Sequence, residues 1–214
     1  MSKTTKVIAV ATQKGGAGKS TIAIHLAVQA MQSKKNAQVV LLDLDPQGSV
    51  AGWAKRRELE DPIVLSAMPG NLEAYLDQAR DDRVDYVVID TPPHAGATID
   101  AAIRAADLVV IPIRPGPFDI DAAAGTIEIM SETRTPGLFV LSQVSSSGSE
   151  GDDTEVVLAE LHPGVPVAKA RLGHRKAFMQ ALISGQAITE FERPSSKAVT
   201  EIKALFRQVN TSLR

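Results

Sequence analysis

The chain has 214 residues, 44% hydrophobic and 22% charged, with a formal net charge of −2. That balance suits a soluble domain with one substantial core and excludes a polycation that would bind nucleic acid through its overall charge. There is no cysteine, hence no disulfide and no thiolate metal site, and no stretch approaches the ~18 apolar residues of a membrane-spanning helix.

Val7-Ile8-Ala9-Val10-Ala11 reads as a buried strand, and Ser20 to about Ser33 as a helix. Between them lies Thr12-Gln13-Lys14-Gly15-Gly16-Ala17-Gly18-Lys19-Ser20-Thr21. Strand, glycine-rich loop and helix form the context of a phosphate-binding loop, although Gln13 stands where the usual pattern has its first glycine. Glycines let the backbone turn its N–H groups onto an anion, and the helix N-terminus adds partial positive charge. Lys19 is predicted to reach the β- and γ-phosphates, Ser20 to ligate Mg²⁺ and Thr21 to meet the α-phosphate.

Val39 to Leu42 is a second buried strand, delivering Asp43-Leu44-Asp45-Pro46-Gln47-Gly48-Ser49. If strand geometry continues, Asp43 and Asp45 point the same way beside the loop. Gly48 to Glu60 reads as an amphipathic helix containing Trp53, Ile63 to Ala67 as a strand, and Gly70 to about Arg80 as a helix. Tyr86-Val87-Val88-Ile89 carries Asp90 to a strand end, where an Mg²⁺-holding aspartate belongs, and Thr91-Pro92-Pro93 stops the strand.

Ala95 to Ala106 is predicted helical, Leu108 to Ile113 a buried strand, and Ile120 to Thr133 a helix with Asp119 as a candidate N-cap. Leu138 to Leu141 is the next strand, followed by Ser142-Gln143. Ser145 to Asp153 reads as a polar loop, Glu155 to Leu161 as a helix, and Val165 to Ala168 as a short edge strand. Two helices follow, Ala177 to Ser184 with Gly185 as C-cap, and one capped by Ser195 or Ser196 that runs to about Leu213. From Glu160 onward nine Lys/Arg face four acids, a net of +5 in an otherwise acidic chain, so a basic face is expected there. His25, His162 and His174 have no metal-ligand spacing and read as structural or surface residues.

Alternating strands and helices predict one α/β domain over 1–214, with a mainly parallel twisted sheet covered by helices on both faces. The order Lys-Gly-Gly-x-Gly-Lys-Ser, with Lys14 leading, resembles the deviant Walker A motif of the ParA/MinD family of P-loop ATPases. Asp-Leu-Asp-Pro-Gln-Gly-Ser and Val-Val-Ile-Asp-Thr-Pro-Pro resemble the switch and Walker B regions of ParA-type partition ATPases, with Pro93 matching the second proline.

The resemblance implies ATP and Mg²⁺ as ligands, with nucleotide contacts from Lys14, Gly15, Gly16, Ala17, Gly18, Lys19, Ser20 and Thr21. Lys14 would reach the partner's nucleotide in an ATP-dependent homodimer. Asp43, with Ser20 and Asp90, would support the metal or its waters, and Asp45 would position the attacking water. Pro115, Phe118 and Asp119 would border the adenine and the dimer interface. The asparagine that many relatives place near adenine is replaced by Ser142-Gln143, a departure that bears on base selectivity.

The implied DNA contacts are sequence-independent, with Arg171, Arg175, Lys176 and Lys197 as candidates. The implied partner is a ParB-like centromere-binding or other adaptor protein that stimulates hydrolysis. The expected location is cytoplasmic and nucleoid-associated, with no N-terminal helix-turn-helix domain and no membrane helix. Related ATPases position carboxysomes or chemotaxis clusters, so a protein cargo is the first alternative. A membrane-bound scaffold like MinD is another. A nitrogenase iron-protein relative would need cluster-binding thiolates that this chain lacks.

Overall fold

The computed structural model describes residues 4–94 and 96–213. Six parallel strands, β1 (Lys6–Val10), β2 (Val39–Asp43), β3 (Ile63–Ser66), β4 (Tyr86–Asp90), β5 (Leu108–Ile113) and β6 (Gly137–Leu141), form one sheet in the order β3-β2-β4-β1-β5-β6. The chain departs from central β1 toward β2 and later crosses to β5. That reversal leaves a crevice at the carboxyl ends of β1, β2 and β4.

Strand alternation divides the core into two layers. Ile8, Val10, Leu41, Val88, Val110 and Val140 pack under α1 (Lys19–Gln32), α2 (Ser49–Ala54), α7 (Lys176–Ile183), α8 (Ile188–Phe191) and α9 (Lys197–Ser212). Val7, Ala9, Leu42, Ile89, Ile111 and Phe139 face α3 (Leu72–Asp81), α4 (Gly96–Ala105), α5 (Pro117–Thr133) and α6 (Glu150–Leu161). Strands buried on both faces are continuously apolar for this reason, so their sequences mark them well. The last helix turns Ile202, Leu205, Phe206 and Val209 into the core, which accounts for its amphipathic pattern.

Several boundaries differ from the sequence expectation. The helix predicted over Gly48 to Glu60 ends at Ala54. Its continuation has no buried apolar repeat, and Pro62 disfavours helix at Asp61. Asp119 is not an N-cap: the helix begins at Pro117, whose fixed φ suits a first helical position, and Asp119 sits in its first turn. Residues 150–153, read as loop, open α6. Glu150, Asp152 and Asp153 lie in its first turn, where acids complement the helix dipole. The start of the predicted Ala95 helix lies outside the described residues. Val165 to Ala168 contributes a single parallel bridge, Val167 to Phe139, beyond β6. Gly185 follows α7 at φ 71, and the Ser196 side chain accepts the Val199 N–H, as their residue types predict.

Candidate functional site

The predicted phosphate loop joins the end of β1 to α1. Gly16 and Gly18 adopt φ values of 76 and 92, a region that favours glycine. Gln13 occupies the departed position by lying along α5, where a Cβ added to Gly125 would fall 2.3 Å from its amide nitrogen. Lys19 is buried, and its Nζ donates to the Lys14 carbonyl at 3.0 Å. Burial lowers the Lys19 pKa, while Asp90 and Asp45 pull it up.

Asp43 and Asp90 are direct register partners on β2 and β4, and Val10 pairs with Asp90 on the other side. The sheet therefore sets both carboxylates beside the start of the phosphate loop. The Thr91 hydroxyl donates to Val10 O at 3.0 Å and ties the two strand ends together.

Their environments then diverge. Asp43 accepts from the Asp45 N–H at 3.1 Å through Oδ1 and from the Ala51 N–H at 2.9 Å through Oδ2. Burial raises its pKa, against the pull of these N–H donors. Asp90 is fully buried, and neither carboxylate oxygen has a hydrogen-bond partner among the described residues. Burial pushes its pKa up to about 7, opposed by the nearby Ser20 hydroxyl and the Lys19 cation. Two unpartnered buried oxygens fit a cation that brings its own compensating charge. Among the described residues no cluster of three or more acids and histidines could hold a metal by itself.

Asp45 lies beyond the end of β2 at Asp43, so strand alternation does not set its direction. It sits half-exposed in the loop, and its Oδ1 accepts the Gln47 N–H at 2.9 Å. It lines a cleft of about 650 Å³ with Gly15, Gly16, Gly18, Lys19, Ser20 and Thr21 on one wall and Trp53 and Arg56 on the other. Ala17 is buried within the loop, and Lys14 is half-buried beside it.

Beyond Gly18 and Thr21 a second cleft of about 330 Å³ opens, lined by Ser142, Leu172, His174, Arg175 and Phe178 among others. Ser142 and Gln143 also hold the loop from behind. The Ser142 hydroxyl donates to Ala17 O at 2.9 Å and the Gln143 amide to Gly16 O at 2.7 Å. Sequence reasoning did not assign this pair a role. The available signal was a polar residue directly after a buried strand, one place beyond the strand-ending position of Asp43 and Asp90.

Pro115, Phe118 and Asp119 lie elsewhere, around a depression of about 420 Å³ that shares only Gln143 with the phosphate cleft. Phe118 is 76% exposed, and Asp119 is held by the Arg114 guanidinium at 2.9 and 3.0 Å. That guanidinium borders the loop from outside, 3.6 Å from where a Cβ on Gly16 would stand.

The four candidate DNA-contacting cations also divide. Arg171 bonds Asp152 at 2.6 Å and Glu155 at 2.5 Å, and Arg175 is paired with Glu201. Lys176 and Lys197 are exposed and form no ion pair among the described residues.

Residues 8–188 match the model of the CobQ/CobB/MinD/ParA nucleotide binding domain. The chain belongs to that family. A maintenance of carboxysome distribution protein A from Gloeobacter kilaueensis is 31% identical over 212 residues, covering 97% of this chain and 94% of the relative. A ParA protein of Rhizobium radiobacter is 26% identical over 222 residues, covering 97% and 99%. Apo McdA from Cyanothece superposes with a TM-score of 0.76 at 20% identity, over 98% of this chain and all of the other. The chain is thus a ParA/MinD-type P-loop protein, and the fold expected from its motifs is the fold observed.

Proposed function

We propose that this ParA/MinD-family protein is an Mg²⁺-dependent ATPase that works as a nucleotide switch on DNA. The observation that carries the reading is Asp90. It is a buried carboxylate with both oxygens unpartnered, beside Lys19 and Ser20 and across the register from Asp43. Ser20 and Asp90 would hold Mg²⁺ or its waters, and the metal would neutralise charge on the β- and γ-phosphates. Gly15 to Thr21 cradle the phosphates with backbone N–H groups, and Lys19 leaves the Lys14 carbonyl for the phosphate oxygens. Asp45 orients the water that attacks the γ-phosphorus, and ADP departs with the bridging oxygen.

Asp43 acts through the loop it staples rather than through the metal. The base occupies the cleft beyond Thr21, in place of the surface around Pro115, Phe118 and Asp119. That surface, with Lys14, we assign to a homodimer formed with ATP. Lys176 and Lys197 lead the DNA contacts, with Arg171 and Arg175 shaping the same face.

The cargo in this reading is a plasmid or chromosome, linked through a centromere-binding adaptor. A second reading, a protein assembly as cargo, is favoured by the 31% identity to a carboxysome distribution protein. A membrane anchor built from the last helix is disfavoured because its apolar face is already in the core, and no described helix is long and apolar enough to cross a membrane.

The test is binding to unrelated DNA fragments with ATP, ADP or no nucleotide, alongside ATP turnover. ATP-dependent binding that weakens with salt is expected. Asp45→Ala should lower turnover by roughly 10²-fold while retaining ATP-dependent DNA binding. Normal ATP turnover with no DNA binding in any nucleotide state overturns the DNA-riding switch. Affinity capture with ATP, scored for a DNA-binding adaptor against a shell-protein adaptor, separates the two cargo readings.

A further inference from the structure

The chain leaving α2 is locked to the turn between α7 and α8 by contacts that the nucleotide chemistry does not use. Arg57 lies three residues past the end of α2, and its side chain is 2% exposed. Its guanidinium binds Glu190 through both terminal nitrogens, at 2.8 and 2.7 Å, and also donates to Gly185 O at 3.2 Å and, through Nε, to Asp61 O at 2.6 Å. It lies over the ring of Trp53, 4.9 Å from the centroid. Trp53 is fully buried and donates its indole N–H to Gln186 O at 3.3 Å. Glu190 in turn accepts the Ala187 N–H at 2.8 Å. Burial would raise the Glu190 pKa, but the Arg57 pair and this N–H outweigh it and hold the carboxyl below its usual range.

The backbones meet as closely as the side chains. A Cβ on Gly185 would stand 2.3 Å from Arg56 O and 2.7 Å from Arg57 N. Only glycine fits at 185 without a shift of one backbone against the other.

A buried ion pair contributes little net stability over a well-packed apolar pair, and its geometry instead fixes the relative orientation of the two segments it joins. What it orients is informative. On one side is the short helix that follows Asp43 and Asp45, anchored at its start by the Ala51 N–H to Asp43. On the other is α7, which begins at Lys176 and whose Leu182 lines both the phosphate cleft and the cleft beyond it.

We propose that Arg57 and Glu190 are positioning residues that couple the switch helix to the α7–α8 segment, so that the phosphate state read at Asp45 is passed to the basic face carrying Lys176. The inference rests on the nucleotide-switch reading above. It adds the route: α2 and α7–α8 respond as one body, with the buried ion pair as the joint.

Hydrogen exchange of the full chain tests it, without nucleotide, with Mg²⁺-ADP and with an Mg²⁺-bound non-hydrolysable ATP analogue. In the wild type, peptides spanning 49–57 and 185–191 are expected to change together, with the same dependence on nucleotide concentration. In Glu190→Gln and Arg57→Lys, 49–57 should still respond and 185–191 should lose its response. The ratio of DNA affinities with and without the analogue should fall roughly fivefold or more in these variants, while nucleotide affinity stays close to that of the wild type. A purely structural role would lower the melting temperature and leave both responses linked, which would overturn the proposal. So would a wild type that binds the analogue and responds at 49–57 but not at 185–191, a result that needs no variant to fold. Failure of the wild type to bind nucleotide at all would instead sink the switch reading, and this inference with it.

Discussion

At the scale of single residues, two buried ionisable groups act in opposite directions on stability. His25 is fully buried, accepts the Ile188 N–H at 3.2 Å through Nδ1, and has its pKa lowered by burial from 6.5 to about 3. Its folded form refuses a proton that the unfolded chain accepts, so its contribution to stability is lost as pH falls below 6.5. Asp90 is raised by burial from 3.8 to about 7. Its folded form keeps a proton that the unfolded chain gives up, so stability is gained as pH falls through that same window. Between pH 7 and 5 the two slopes oppose each other and flatten the wild-type profile. His25→Gln keeps an acceptor and removes one slope, and it should become more stable by about 2 kcal/mol over that interval. Denaturant unfolding at both pH values checks this. A variant as flat as the wild type would show that Asp90 is ionised in the folded protein at neutral pH.

At the scale of elements, the strands were legible and the helix ends less so. β1, β2, β4, β5 and β6 are buried on both faces, and a continuous apolar run is what double burial requires. The limits of α2, α5 and α6 depend on Pro62, on Pro117 and on an acidic first turn, local features that can outvote periodicity. α8 was not anticipated, since four residues are too few to show a period. Gly185 illustrates a position with two reasons for its residue. Its φ of 71 is a helix-ending conformation that sequence can suggest, while the 2.3 Å between a Cβ added there and Arg56 O is a tertiary fact. Gly185→Ala should therefore cost more than the ~1 kcal/mol of a simple glycine replacement, because backbone rather than a flexible side chain opposes the new methyl. A melting temperature equal to that of the wild type would mean that the α7–α8 turn yields easily, and would weaken its role as a rigid joint.

At the scale of the whole molecule, charge is organised by pairing rather than by count. The C-terminal segment carries a net +5, yet Arg171 and Arg175 are already bonded to acids of α6 and α9. Phosphate contacts release counterions in proportion to the cations engaged, so unpaired lysines should dominate the salt dependence. Lys176→Ala and Lys197→Ala are each expected to weaken ATP-dependent DNA binding and to reduce the slope of log affinity against log salt by about 1. Arg175→Ala should change that slope less. An Arg175 effect equal to that of the lysines would mean that Glu201 releases its partner in the DNA-bound form.

The sequence by itself determined the phosphate loop, the carboxylates at the ends of β2 and β4, and the parallel sheet that sets them side by side. These are local signals: glycines where the backbone must turn, apolar runs where strands are buried twice, and acids where those strands end. Tertiary structure alone decided what each acid contacts. Asp43 and Asp90 look alike along the chain, and only packing turns one onto backbone N–H groups and leaves the other without a partner. It likewise paired Arg171 and Arg175 with acids of α6 and α9, and it joined Arg57 to Glu190 across 133 residues. Hydrogen-bond satisfaction and charge pairing depend on neighbours that sequence distance does not reveal, so such assignments emerge only when the chain is folded.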